Sequence, residues 1–169
     1  MSKRDLKKYL TGLDKDQIEE QFLALYDKFP DVKTYYDFVF HPKEEKLVGE
    51  ARVKISNEYF PTKTRRAKLR RSTAQKIIKH FLMLGVEPHA VADVMLFAIE
   101  VAQKYTARRE VRSATFYKSM HKSFEQAVDY TIAQGIVGDF NDRITSIAER
   151  AASQQWDNVW DFERTVSRI

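Results

Sequence analysis

The chain of 169 residues is long enough for one domain with a substantial core. Its 43% hydrophobic and 31% charged residues are values of a folded chain, which excludes a disordered one, and its five Gly and four Pro are too few for a turn-rich sandwich or barrel. With no Cys there is no disulfide framework, no thiolate metal site and no Cys nucleophile.

Met1 to Lys8 is charged and lacks the apolar run of a signal peptide. The most apolar stretch, Val86 to Ala102, is interrupted by Glu87, His89, Asp93 and Glu100, so it reads as a packed helix and not a membrane span. The expectation is a cytoplasmic protein without a membrane partner.

In chain order the pattern is helical throughout. Ser2 is placed to cap a first helix carrying Leu6, Tyr9 and Leu10, ended by Thr11 and Gly12. Asp14 with Gln17 resembles a capping box, followed by Ile18, Phe22, Leu25 and Phe29 at helical spacing up to Pro30. Asp31 is expected to cap a third helix bearing Val32, Tyr35, Tyr36, Val39 and Phe40. Pro42 is expected in the first turn of a fourth, whose stripe is Leu47, Ala51, Ile55 and Tyr59. Ser72 with Gln75 is another capping-box pattern, opening a helix with Ile77, Ile78 and Phe81 that Gly85 ends. Pro88 starts the next, apolar on more than one side and therefore expected to be central. A charged link, Arg108 to Arg112, leads to a long helix from Ser113 to Gly135. Gly138 and Asp139 turn the chain into another, and a last piece shows Trp156, Val159, Trp160 and Phe162, the two Trp expected to clamp it to the body.

The pattern therefore predicts an all-α fold: a single-domain bundle of about nine helices over residues 1–169, with a short α–α solenoid-like array as the other arrangement open to its C-terminal half. A soft internal boundary is expected near residues 60–72, where no helical apolar period is found.

That region holds the main functional signal. Six of the nine residues from Lys63 to Arg71 are cationic: Lys63, Arg65, Arg66, Lys68, Arg70 and Arg71. No acidic residue lies between Glu58 and Glu87, while Lys76 and Lys79 continue the basic character onto the next helix. The net charge of +5 belongs to this stretch, because the rest of the chain carries −3. Such clusters bind phosphate backbones, and arginine adds bidentate geometry. Ser72 and Thr73 mark a helix start that can add backbone donors for an anion, and Tyr59 and Phe60 offer rings for stacking. The same cluster can instead dock against the fold's own carboxylates, with Asp14, Asp16, Glu19, Glu20, Glu44 and Glu45 as candidates.

Two blocks carry a resemblance. Tyr35, Tyr36, Asp37, Phe38, Val39, Phe40, His41 and Pro42 lead into Glu44, Glu45, Lys46 and Leu47. Tyr59, Phe60 and Pro61 precede the basic run and then Ala74, Gln75, Lys76, Ile77, Ile78, Lys79, His80 and Phe81. Together with the opening Ser2 to Leu10 they resemble a family of short bacterial proteins known only as a domain of unknown function, most strongly over residues 1–85. The resemblance implies no activity, cofactor or catalytic residue.

Other chemistry is weakly signalled. His89 with Asp93, and His121 with Glu125 and Asp129, have helical spacing that metal sites use, but neither belongs to a metal motif, and two solvent-facing pairs are the expectation. There is no nucleophile elbow, phosphate-cradling Gly-rich loop or dinucleotide fingerprint, so no catalytic residue is nominated. The first functional expectation is binding of an acidic protein partner through Lys63, Arg65, Arg66, Lys68, Arg70, Arg71, Lys76 and Lys79, without a metal or cofactor. The alternative is binding of nucleic acid or another polyanion through the same residues.

Overall fold

Capping, apolar periodicity and scarce breakers give the elements, and a computed structural model, which describes residues 2–63 and 66–169, shows how they pack. Every regular element among the described residues is an α-helix. The chain divides into two compact units, Met1–Pro42 and Lys43–Ile169. The division falls at residue 42, and the stretch 60–72 lies inside the second unit.

The first unit contains α1 (Lys3–Thr11), α2 (Lys15–Lys28) and α3 (Pro30–Phe40). Both expected caps form: Ser2 exchanges hydrogen bonds with Asp5, and Asp14 with Gln17. The third helix starts one residue earlier than its expected cap. Proline's fixed φ suits the first helical position, so Pro30 begins α3 and Asp31 lies within its first turn. Tyr36 gathers Phe22 and Tyr35 edge-on at 5.0 and 5.1 Å, and Gln21 Nε2 donates to the Tyr9 hydroxyl at 2.8 Å. Even so, none of these three helices has a buried residue.

The second unit contains α4 (Glu44–Tyr59), α5 (Arg71–Leu84), α6 (Pro88–Thr106), α7 (Ala114–Ala133), α8 (Val137–Ser153) and α9 (Val159–Val166). Its packed helix pairs are first or second neighbours in sequence, and α6 meets α4, α5, α7 and α8. Val91, Val94, Leu96, Ile99 and Ala102 of α6 are fully buried, and burial of each Val, Leu or Ile is worth about 1.5–3 kcal/mol. The centrality expected from an all-round apolar helix is observed. A second focus lies where α9 closes on α7: Phe124 stacks on Phe162 at 4.9 Å, and Trp156 meets Phe162 edge-on at 5.5 Å.

Ions tie three helices together where α6 carries charge. Asp93 receives Arg52 of α4 and Arg143 of α8 at 2.7 and 2.8 Å, and Arg143 also bonds Glu100 at 2.8 Å. Gln103, fully buried, donates to the Ile147 carbonyl at 2.7 Å.

Several element starts differ from expectation for local reasons. Pro42 precedes the Lys43 cap of α4 and is not in its first turn. Arg70, not Ser72, is the cap residue of α5, so Ser72 is already helical. Gly138 lies within α8, which begins at Val137. Gly85, in contrast, ends α5 in the left-handed conformation at φ 72°, with Val86 N–H returning to the Phe81 carbonyl at 3.1 Å. Trp156 is 3% exposed but Trp160 is 81% exposed, so only Trp156 clamps the C-terminal helix.

Candidate functional site

The basic segment leaves α4 at Phe60 and returns to helix at Arg71, and Glu58 organises the return. Glu58 accepts from Arg70 Nε and Nη2 at 2.9 and 2.8 Å and from the Thr73 hydroxyl at 2.9 Å. Its backbone carbonyl accepts from the N–H groups of Lys68 and Leu69 at 2.9 and 3.1 Å. That carbonyl is one of the four left without a helical partner at the end of α4, so the loop itself completes the helix terminus. Reaching it puts Leu69 at φ 54°, a region few non-glycine residues occupy, and the two hydrogen bonds offset the cost. The paired guanidinium of Arg70 holds the Glu58 carboxyl below its ordinary pKa, against the opposing effect of burial. The anion place at the start of α5 thus contains the fold's own carboxylate. Among the described residues, Arg70 of the loop takes Glu58 as its carboxylate partner.

Arg71 is also engaged in the fold. Its Nε donates to Ser123 Oγ at 2.6 Å and its Nη2 to Gln126 Oε1 at 2.9 Å, fastening α5 to α7. With its amide oxygen turned inward, Gln75 accepts from the same guanidinium at 2.9 and 3.0 Å. No carboxylate among the described residues pairs with Arg71, and partial burial lowers its pKa.

The other cations have different positions. Lys63, Arg66 and Lys68 are exposed in the loop, and Arg65 lies outside the described residues. Lys76 and Lys79 are exposed on α5, away from the loop's recesses. One recess, of about 350 Å³, is lined by Asn57, Pro61, Lys63, Lys68 and Arg70 with Glu58 at its base. A neighbouring one, of about 310 Å³, shares Pro61 and is lined by Phe60, Ala67, Tyr105, Arg108 and Arg109.

Here α4 and α6 bring their C-terminal ends together. The Tyr105 ring lies 5.9 Å from Phe60 and 6.0 Å from Tyr59, with Arg108 over Phe60 at 6.0 Å and Arg109 over Tyr105 at 5.7 Å. Glu110 is occupied by a two-point pairing with Arg112. Among the described residues, no carboxylate forms an ion pair with Lys63, Lys68, Arg108 or Arg109. Part of this charge serves the helix ends, where each cation contributes about 0.3–1 kcal/mol at an exposed terminus. Tyr59 supplies no stacking surface: it is buried, its hydroxyl faces the Met120 sulfur at 3.8 Å, and burial raises its pKa. Phe60, 39% exposed, and the half-buried Tyr105 present the rings instead.

A model of the family of unknown function DUF6155 matches residues 1–169. The chain belongs to that family. The match runs the full length, beyond the first half in which the sequence resemblance is strongest. Nothing among curated proteins or solved structures matches the chain significantly.

The His pairs resolve into structural contacts. His89 bonds Glu87 through Nδ1 at 2.9 Å and Asp139 through Nε2 at 2.8 Å, while Asp93 belongs to the arginine network. The two carboxylates hold opposite sides of the ring, linking the starts of α6 and α8, and with Asp139 the larger cause they raise the imidazole pKa. His121 bonds the Thr165 hydroxyl at 3.0 Å, and Asp129 pairs with Arg168. Among the described residues, no group of three or more His, Asp or Glu is arranged to hold a metal ion.

Proposed function

We propose that this protein is a nucleic-acid-binding module whose contact surface is formed by the loop of Lys63 and Lys68 and the α6–α7 link of Arg108 and Arg109. The observation that carries this reading is the pair of adjoining recesses in which these four cations border the exposed ring of Phe60 and the half-buried ring of Tyr105 without a carboxylate partner among the described residues. An acidic protein surface needs only the cations. The rings beside them supply what a phosphate-linked chain of flat bases also uses. Arg70 and Arg71, committed to Glu58 and to α7, support the loop and are not the contact surface in this reading.

The test is a titration of labelled single-stranded RNA and DNA at low and moderate salt, beside poly-glutamate. Four neutralised phosphates predict a log–log salt slope of about −3 for a single strand, hence a loss on the order of 50-fold between about 50 and 200 mM salt. Changing Lys63, Lys68, Arg108 and Arg109 together to Gln is expected to abolish the binding while the helical circular dichroism is retained. Binding of poly-glutamate without nucleic acid overturns the proposal in favour of an acidic protein partner.

A further inference from the structure

Resting on that reading, we infer that the recess between Phe60, Tyr105, Arg108 and Arg109 receives one unpaired nucleobase of a single-stranded nucleic acid. Its neighbour beyond Pro61, lined by Lys63 and Lys68, takes an adjacent backbone phosphate. The two recesses differ in chemistry in the way the two parts of a nucleotide do. One is walled by the rings of Phe60 and Tyr105 and the guanidinium groups of Arg108 and Arg109, with the buried Tyr59, Pro61 and Ala67 completing the lining. The other is bordered by the ammonium groups of Lys63 and Lys68, with the Glu58 carboxylate there neutralised by its pairing with Arg70. Base faces stack on both aromatic rings and arginine planes, and the Arg108 and Arg109 guanidinium groups lie 6.0 and 5.7 Å from the Phe60 and Tyr105 ring centres, within cation–π reach.

Size selects the strand. A recess of about 310 Å³ is at the lower end of small-ligand sites and has room for one base but not for a duplex. In a duplex the base faces are covered by stacking, so entry requires unstacking, which a single strand largely avoids. The lining contributes no Asn, Gln, Asp or Glu to read a base edge, so discrimination among bases is weak.

The experiment measures fluorescence anisotropy of a labelled single-stranded oligonucleotide, with the matching duplex, inorganic polyphosphate of equal charge and ATP as competitors. The single strand is expected to bind about tenfold more tightly than the duplex or polyphosphate, and ATP far more weakly than the strand. Phe60→Ala should cost about tenfold on the single strand and nothing on polyphosphate, while Phe60→Tyr restores the affinity. Because Phe60 is partly exposed, retained helical circular dichroism checks the fold of both variants. Equal affinity for strand and polyphosphate, unaltered by Phe60→Ala, overturns the base site but leaves polyanion binding standing. ATP binding as tightly as the strand overturns the single-strand assignment. Absence of binding to every polyanion overturns the underlying functional reading itself.

Discussion

Glu58 shows how one side chain decides what a basic cluster is for. Its side chain is only 10% exposed, yet it collects three donors from Arg70 and Thr73 and anchors the loop return with its carbonyl. Nothing in its spacing marks it, because Arg70 reaches it only after the chain reverses at Leu69. Glu58→Gln is expected to lower the unfolding free energy by about 1–2 kcal/mol near neutral pH, in a urea titration, a figure restrained by the solvent around Arg70. Since the folded pKa is depressed, the contribution is complete above the ordinary value of 4.5 and is lost as pH falls through the lower folded value. The gap between wild type and variant should therefore close in acid. Equal urea midpoints at neutral pH, or a gap undiminished near pH 2, would contradict this account.

At the scale of elements, the C-terminal helix separates two tryptophans that the spacing treats alike. Trp156 and Trp160 are four apart, which places side chains on one face only within a continuous helix. The chain turns between them and α9 begins at Val159, so Trp156 enters the cluster of Phe116, Tyr117 and Phe162 while Trp160 points outward. Trp156→Ala should cost about 3–5 kcal/mol in chemical denaturation and Trp160→Ala no more than about 0.5 kcal/mol. Similar losses for both would refute the assignment. The same lesson holds at the start of α5. The Ser72 and Gln75 pair has the letters of a capping box, but Arg70 drawn to Glu58 starts the helix sooner, and Gln75 turns to Arg71.

For the molecule as a whole, burial is unevenly distributed. The core is formed by α4 to α9, and α1 to α3 contribute no buried residue to any core. Opening free energy follows buried contact, so amide hydrogen exchange should be slowest in α6, where Val91 to Ala102 are enclosed, and fastest in α1 to α3. Protection of α1 to α3 equal to that of α6 would rule this out. Within the second unit, helix packing that runs mainly between first and second neighbours in sequence also explains why the helical order was so readable.

Local signals were enough for the all-α class, the helix order, the end of α5 at Gly85 and the central place of α6, because caps and apolar period act within one or two turns. They also located the basic run, since charge density is a property of adjacent residues. Which cations hold the fold and which face outward was decided by tertiary structure. Arg70 meets a carboxylate 12 residues away, Arg71 meets α7 52 residues away, and Phe60 meets Tyr105 across two helices. Ion pairing and ring contact depend on which distant helices come together, and no period along the chain records that.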